Sequence, residues 1–201
     1  MERKKKIKKI GKKPLLIKDI KKIINVIDEI NEKEKIRVRN KALLLIGFSG
    51  GFRRSELVNI EIEDLDFVDE GLKIIIKKSK TDQAGEGLTK GIPYFYNKDY
   101  CPVISLKKWI NYVNINTGKI FNLSDKSVAL IIKKYSNLAG LDSRKYAGHS
   151  LRSGFATSAA ASGAEERNIM NMTGHKSVEM VRRYIKDADI FKNNALNKLK
   201  I

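Results

Sequence analysis

The spacing of apolar residues changes twice along this chain, and that change limits what it can fold into. Between residues 17 and 30, isoleucines recur at three- and four-residue intervals among charged residues, which predicts an amphipathic helix. The β-branched run Leu72–Lys77 instead indicates a strand. After Pro102 the helical spacing returns and continues to the end of the chain. The pattern predicts an α+β fold that is mainly α, with one small β-sheet in its middle.

Glycine, proline and capping residues set the predicted element boundaries. Pro102 favours the first turn of a helix, and Ser124 is a suitable N-cap. A three-stranded antiparallel sheet is predicted from Leu65–Phe67, Leu72–Lys77 and a strand that begins at Gly91, with Ser79–Lys90 as a long hairpin loop. The predicted helices are Ile17–Ile30, Val38–Phe48, Arg54–Val58, Val103–Val113, Ser124–Leu138, His149–Ser162, Glu165–Met172, Ser177–Lys186 and Ile190–Leu199. We interpret residues 14–201 as one domain.

The charge balance indicates a polyanionic partner. The 201 residues include 41 Lys+Arg and 23 Asp+Glu, a formal net charge of +18. Such an excess favours nucleic acid first and an anionic membrane surface second, although a biased genome composition could contribute to it. Residues 1–13 form a basic segment without a core pattern, which we predict to be a disordered tail or the remnant of a linker.

The cysteine and hydropathy patterns point to an intracellular protein. Cys101 is the single cysteine, so neither an internal disulfide nor a cysteine zinc site is expected. The longest apolar run, Ala42–Ile46, is far shorter than a membrane span. We therefore expect a soluble cytoplasmic protein that associates with the bacterial nucleoid when it binds DNA, and no contact with a membrane.

A few polar residues stand at positions where chemistry is conceivable. His149 precedes Arg152 by three residues, so the two share one helical turn. His175 follows Gly174 at a helix start, and Tyr184 lies nine residues later. Arg53 occupies a glycine-rich corner with the sequence Gly-Phe-Arg-Arg-Ser-Glu-Leu, and Lys80 lies in the predicted hairpin. Taken singly, a surface arginine, a capping histidine, a packed tyrosine and a solvated lysine would explain them.

Metal and nucleotide chemistry have little support. The acidic residues Asp64, Asp66, Asp69 and Glu70 could suggest a two-metal nuclease, but acidic residues beside a turn more often contribute solubility. The chain has no Gly-Lys-Ser/Thr after a glycine-rich stretch, and so no P-loop. We predict neither a metal nor another cofactor.

In their order, these residues resemble the tyrosine recombinase family, also called phage integrases. The matching segments are Ala42–Leu57, Ser79–Gln83, Gly148–Ala156 and Thr173–Tyr184. The resemblance implies the catalytic-domain fold of that family and a DNA strand transferase that works through a 3′-phosphotyrosine. It further implies a catalytic set of Arg53, Lys80, His149, Arg152, His175 and Tyr184, with Glu56 supporting the first arginine.

The implied roles agree with elementary chemistry. Tyr184 would be the nucleophile, Arg53 and Arg152 would clamp the scissile phosphate, and Lys80 would be the general acid. The two histidines would serve proton transfer and phosphate hydrogen bonding. Planar guanidinium groups match the charge that develops on non-bridging phosphate oxygens, and a departing 5′-alkoxide needs a proton. Because the phosphotyrosine stores the bond energy, neither ATP nor a metal is required.

Double-stranded DNA is the expected partner. Basic residues near the catalytic set and in the tail are predicted to contact DNA, namely Lys4, Lys5, Lys6, Lys8, Lys9, Arg54, Lys78, Lys176 and Arg183. Self-association as a dimer or tetramer on DNA is expected through the helix Ile190–Leu199, which could equally fold onto its own domain.

Three functions remain open at this point. The first is a site-specific recombinase of the integrase type. The second is a type IB topoisomerase-like enzyme that nicks and reseals DNA. The third is a non-catalytic DNA-binding fragment of an integrase. Members of the family usually carry an N-terminal DNA-clamping domain, whereas only Met1–Lys13 precedes the catalytic segment here. A catalytic fragment and a natural short protein both fit, and the tail lysines could partly replace the clamp.

Overall fold

The computed structural model describes residues 12–77, 87–175 and 177–189 together with Leu196 and Leu199. Its helices are α1 (Ile17–Glu29), α2 (Glu34–Ser49), α3 (Arg54–Val58), α4 (Pro102–Val113), α5 (Asp125–Leu138), α6 (His149–Ala161), α7 (Glu166–Thr173) and α8 (Val178–Asp189). Its strands are β1 (Leu65–Val68), β2 (Gly71–Ile76) and β3 (Leu88–Pro93). The predicted mainly α fold with a three-stranded sheet is confirmed.

The helices follow the apolar pattern with small shifts at their ends. The α1 stripe is buried, and α2 is buried from Ala42 to Ser49. Helix α2 begins at Glu34 rather than at Val38, because its first turn is mostly charged and Ile36 alone gives too weak an apolar signal. The predicted caps are confirmed, since Pro102 opens α4 and the Ser124 hydroxyl accepts a hydrogen bond from the Ser127 amide at 3.2 Å. Most of the predicted helix Ile190–Leu199 lies outside the described residues.

The sheet is antiparallel in the order β1-β2-β3. Strand β3 begins at Leu88, so the predicted loop Ser79–Lys90 was wrong at its end. The reason is the register: Lys90 pairs with Ile74, and Ile92 pairs with Leu72. Lys90 therefore occupies an inward position in the alternation of the strand, where a lysine is unexpected. Residues 78–86 of the hairpin lie outside the described part of the chain.

The segment before α1 crosses α6. The Lys13 amide donates to the Lys145 carbonyl at 2.8 Å, and the Leu15 amide donates to the Ser150 carbonyl at 2.9 Å. The Ile17 amide donates to the Ser158 hydroxyl at 3.0 Å. Residues 12 and 13 of the predicted tail thus contact the folded domain, whereas residues 1–11 lie outside the described residues.

The apolar interior has two parts. A large cluster joins α1, α2, α4, α5 and the sheet, and it extends to Leu151 on α6. A smaller cluster of Ala156, Ala160, Ile169 and Val181 joins α6, α7 and α8. Among the described residues, no helix combines the length and apolarity that crossing a membrane requires. Helix α6 therefore contacts both clusters and connects them.

Gly154 is expected to be indispensable for seating the N-terminal segment on α6. A Cβ at Gly154 would lie 1.8 Å from the Leu15 carbonyl oxygen, which is backbone and cannot rotate away. Gly154→Ala should lower the free energy of unfolding by about 1–3 kcal/mol, as overpacking does. Gly91→Ala is the matched control, because no atom lies within 4 Å of a Cβ there. Urea unfolding measures both, and equal midpoints would contradict the expected backbone clash.

Candidate active site

A glycine corner after α2 presents the first arginine. Gly51 has φ +55°, a left-handed conformation that glycine adopts without strain. The Phe52 ring covers Gly50 so closely that a Cβ at Gly50 would lie 2.1 Å from it. The chain then enters α3 with Arg53 as the N-cap residue. Two glycines are therefore needed for the turn that places Arg53.

Arg53 and Glu56 form a tight pair at this corner. Glu56 accepts a hydrogen bond from the Arg53 amide at 2.9 Å and another from the Arg53 guanidinium at 2.5 Å. Burial raises the pKa of Glu56, but these two bonds and the charges of Lys90 and Arg53 outweigh it, so the pKa lies below its ordinary value. Glu56 therefore stays ionised and orients Arg53, the geometry expected of a supporting carboxylate.

Helix α6 contributes His149 and Arg152 one turn apart. Arg152 is 1% exposed, and its guanidinium donates to the Gly51 carbonyl at 3.0 Å. Burial, followed by repulsion from Arg53, lowers the pKa of Arg152 to about 10, which leaves it charged at neutral pH. His149 begins the helix, and loss of hydration together with the charges of Arg152, Arg53 and Arg54 lowers its pKa. The imidazole of His149 is therefore neutral and able to accept a proton.

The turn between α7 and α8 carries His175. Gly174 ends α7 with φ +62°, and the Thr173 hydroxyl lies 2.7 Å from Nδ1 of His175. Thr173 is fully buried and also lies 2.6 Å from the Ile169 carbonyl. Burial and the charges of Arg152 and Arg53 lower the pKa of His175 to about 4, so this ring too is neutral at pH 7. No sequence motif predicted the contact with Thr173.

Tyr184 lies on α8 beside both histidines. Its hydroxyl is 3.4 Å from Nε2 of His149, and its ring centroid is 5.8 Å from that of His175. The Arg53 guanidinium reaches the Gly174 carbonyl at 3.5 Å, which joins the glycine corner to the same region. The structure thus brings together five of the six predicted catalytic residues, Arg53, His149, Arg152, His175 and Tyr184.

Lys80 and several predicted DNA contacts lie outside the described residues. These are Lys4, Lys5, Lys6, Lys8, Lys9, Lys78 and Lys176. Of the others, Arg54 packs against Gly148 and lies 3.9 Å from Asp125, and Arg183 is exposed on α8. Their contact with DNA remains a prediction.

One residue of the site was missed altogether. Lys90, which is 1% exposed, donates to the Gly50 carbonyl at 2.7 Å and lies 4.3 Å from the Phe52 ring centroid. Burial is the main reason that its pKa falls to about 7. The only signal in the sequence is the alternation along the strand: Lys90 lies two residues from both Leu88 and Ile92, which face inward.

Two of the four acidic residues at the first hairpin, Asp64 and Asp66, have structural partners. Asp64 is buried, accepts a hydrogen bond from the Glu61 amide at 2.9 Å and pairs with Lys77 at 2.7 Å. Asp66 pairs with Lys73 at 3.7 Å. The described residues contain no group of three or more His, Cys, Asp or Glu side chains that could hold a metal ion. That no metal takes part remains a prediction.

The architecture is that of a tyrosine recombinase catalytic domain. A XerH site-specific recombinase bound to palindromic difH substrate, in a post-cleavage complex, matches with a TM-score of 0.74 and 22% identity over 94% of this chain and 52% of that one. A lambda integrase dimer bound to a COC′ core site matches with a TM-score of 0.65 and 18% identity over 96% of this chain and 52% of that one. At these identities, the two similarities establish the fold.

Sequence comparison identifies the family. The model of the phage integrase family matches residues 14–190, and the chain therefore belongs to that family. An integrase/recombinase xerD homolog from Selenomonas ruminantium is 48% identical over 94% of this chain and 58% of the relative. Tyrosine recombinase XerA from Pyrococcus horikoshii is 29% identical over 98% of this chain and 64% of the relative. The chain thus spans less than two thirds of either relative.

The Glu56–Arg53 pair is expected to stabilise the fold in a pH-dependent way. Glu56→Gln should lower the free energy of unfolding at pH 7 by about 1–3 kcal/mol, because charge-assisted bonds inside the protein are lost. Since the folded-state pKa of Glu56 lies below its ordinary value of 4.5, the wild type loses this advantage as the pH falls through the folded-state pKa. Urea unfolding from pH 7 down to pH 3 measures the difference.

The control for that measurement is an exposed ion pair. Asp28 pairs with Lys41 at 2.6 Å, and its side chain is 46% exposed. Asp28→Asn should cost less than about 1 kcal/mol. If Glu56→Gln costs no more than Asp28→Asn, or if its effect is the same at pH 3 and pH 7, the stabilising role of the ionised Glu56 is wrong.

Proposed function

We propose that this chain is the catalytic domain of a site-specific DNA recombinase of the integrase type. The observation that carries the proposal is the 3.4 Å approach of the Tyr184 hydroxyl to Nε2 of His149, at a site that also holds two arginines. A phenol with a neutral imidazole beside it is an activated nucleophile. The names of the relatives, integrase/recombinase and tyrosine recombinase, support the same assignment.

The charge at the site suits a phosphodiester. Arg53, Arg152 and Lys90 are faced by a single described carboxylate, Glu56, so the local balance favours an added anion. Guanidinium groups bind the non-bridging oxygens of a phosphate in a fork-to-fork manner. In the proposed mechanism, Arg53 and Arg152 hold those oxygens and stabilise the charge that accumulates on them during attack.

The reaction is a transesterification that conserves the phosphate bond energy. The Tyr184 oxygen attacks phosphorus while its proton passes to His149, which the lowered pKa keeps neutral at pH 7. The bond from phosphorus to the 5′-oxygen breaks, and Lys80 protonates that oxygen in the proposed scheme. The enzyme is left joined to the 3′-phosphate. Attack by a 5′-hydroxyl reverses the step. Because the Thr173 hydroxyl donates to the Ile169 carbonyl, Nδ1 of His175 carries the proton of the neutral ring, and Nε2 would donate to the phosphate only when the bound anion favours its protonation.

Duplex DNA is the proposed substrate. The XerH recombinase is bound to a difH substrate and the lambda integrase dimer to a COC′ core site, and the net charge of +18 on this chain suits a DNA partner. We extend the proposal to the predicted basic contacts, to self-association through residues 190–199, and to a domain boundary near residue 14. Work on DNA would place the protein in the cytoplasm, associated with the nucleoid.

Tyr184→Phe is expected to abolish covalent attachment to DNA while preserving binding, because it removes only the hydroxyl. The substrate is a nicked suicide duplex whose site is first selected, from random-sequence DNA, by covalent trapping on the wild-type chain. Denaturing electrophoresis should show a 3′-linked adduct with the wild type and none with the variant, and a gel shift should show equal binding. EDTA should leave the adduct unchanged.

The alternatives give different results in the same assays. A topoisomerase-like enzyme would relax supercoiled plasmid but would not exchange strands between two duplexes. A non-catalytic fragment would bind DNA without an adduct. An adduct that persists in Tyr184→Phe would contradict the assignment of the nucleophile.

Lys80 is tested through the leaving group. A 5′-alkoxide leaves poorly without a proton, whereas a thiolate, with a pKa of about 8.5 for its conjugate acid, leaves unaided. Lys80→Ala should slow cleavage of the oxygen substrate by roughly 10²–10⁴-fold and should cleave a 5′-bridging sulfur substrate nearly as fast as the wild type. Arg152→Ala is the control that sulfur should not rescue. Equal, unrescued defects would mean that Lys80 only binds phosphate.

A further inference from the structure

Lys90 is a fully buried cation at a place where an apolar side chain would suffice. It is 1% exposed, and its neighbours in the sheet, Ile74 and Ile92, are buried isoleucines. Burying an ammonium group without partners is costly. The partners of Lys90 are the Gly50 carbonyl at 2.7 Å, the Phe52 ring at 4.3 Å and the charge of Glu56. All three belong to the glycine corner or to α3.

The glycine corner is held from two sides by cations. Lys90 on β3 bonds the Gly50 carbonyl, and Arg152 on α6 bonds the next carbonyl, that of Gly51. These are the second and third residues before Arg53. Since the carbonyls at the C-terminal end of α2 and in the turn after it have no helical partner, the two bonds fix the direction in which the chain leaves α2.

We propose that Lys90 is a positioning residue, whose side-chain nitrogen fixes the glycine corner so that Arg53 and Arg152 bind one phosphate in a single geometry. This inference rests on the proposed function, because it assumes that the two arginines bind the scissile phosphate. Lys90 itself is too buried to contact DNA. It acts through the Gly50 carbonyl and through Glu56, which orients Arg53.

The charges around Lys90 give a signature that is independent of DNA. Lys90 is faced by Glu56 on α3, by the guanidinium group of Arg53 at the corner and by that of Arg152 on α6. The charge of Lys90 also helps to lower the pKa of His175, which follows α7. Burial, followed by the two arginines, lowers its pKa to about 7. Between that value and the ordinary lysine pKa of 10.5, the unfolded chain binds a proton that the folded chain does not. The stability contribution of Lys90 therefore rises with pH across this interval.

The test compares three variants of the 201-residue chain with the wild type. Lys90→Met keeps the length and removes the donor and the charge. Lys90→Gln keeps a donor without the charge. Lys73→Met is the matched control, because Lys73 lies on the adjacent strand with its side chain 54% exposed. Each is measured by urea unfolding from pH 6 to pH 10 and by single-turnover cleavage of the selected suicide duplex.

In single-turnover cleavage, the maximal rate should fall by roughly 10²-fold in Lys90→Met, the cost of a misplaced binding group. Lys90→Gln should lie between Lys90→Met and the wild type, and the half-saturating DNA concentration should change less than threefold. Lys73→Met should match the wild type. Lys90→Met should be no less stable at pH 6, because removing a buried charge offsets the lost bond, and its stability relative to the wild type should decline towards pH 10.

Several outcomes would overturn the inference. Maximal rates of wild-type size in both Lys90 variants would remove the positioning role. A change in the half-saturating DNA concentration alone would mean that Lys90 contributes to DNA affinity and not to positioning. A stability difference that is flat with pH would contradict the burial of the ammonium group. If the wild type forms no adduct at all, the proposed function fails first, while the unfolding data still decide whether Lys90 is held as described.

Discussion

The site depends on the burial of positively charged side chains close to one another. Together with burial, the charges of Arg53 and Arg152 help to lower the pKa of Lys90, and the charge of Arg53 helps to lower that of Arg152. Glu56 is the carboxylate among the described residues that opposes these positive charges. Such an arrangement is tolerated because backbone carbonyls accept the remaining hydrogen bonds. The glycine corner is therefore both a structural turn and the source of the oxygens that make buried cations possible.

This dependence explains why distant parts of the chain must meet. The corner follows α2, Lys90 comes from β3, Arg152 comes from α6, and the Thr173 methyl group of α7 would lie 3.1 Å from a Cβ at Gly51. Four elements thus meet at the two glycines of the corner, Gly50 and Gly51. If the site binds an anion as proposed, the same contacts set both fold stability and anion binding, so a substitution that stabilises the fold by removing a buried charge should weaken anion binding.

Much of the fold and part of the site could be predicted from the sequence. The helical stripe of α1 and the caps of α4 and α5 are local signals, and the structure follows them. Arg53, His149, Arg152, His175 and Tyr184 were found because they stand in short ordered motifs, and they meet in space. Their catalytic roles and that of Lys80 remain predictions.

The residues that were missed share a physical reason. Lys90 belongs to the site only because β3 pairs with β2 in a register that turns it inward. Its alternation with Leu88 and Ile92 is the one local sign of this, and that sign is weak beside a polar loop. Thr173 bonds His175 only because Gly174 reverses the chain between them. Both depend on long-range or turn geometry, which composition and periodicity do not contain.

The division of the apolar interior into two clusters affects which part of the site opens first. The arginine-bearing half rests on the large cluster through Phe52, Leu57 and Leu151, whereas Tyr184 packs on the small cluster, which consists mainly of alanine and single aliphatic residues. A small cluster contributes little free energy against local opening. We therefore expect α8 to open locally at a lower cost in free energy than global unfolding, while the half that carries Arg53 and Arg152 keeps its shape. On this expectation, Tyr184 and the two arginines belong to two cooperative units with different lifetimes.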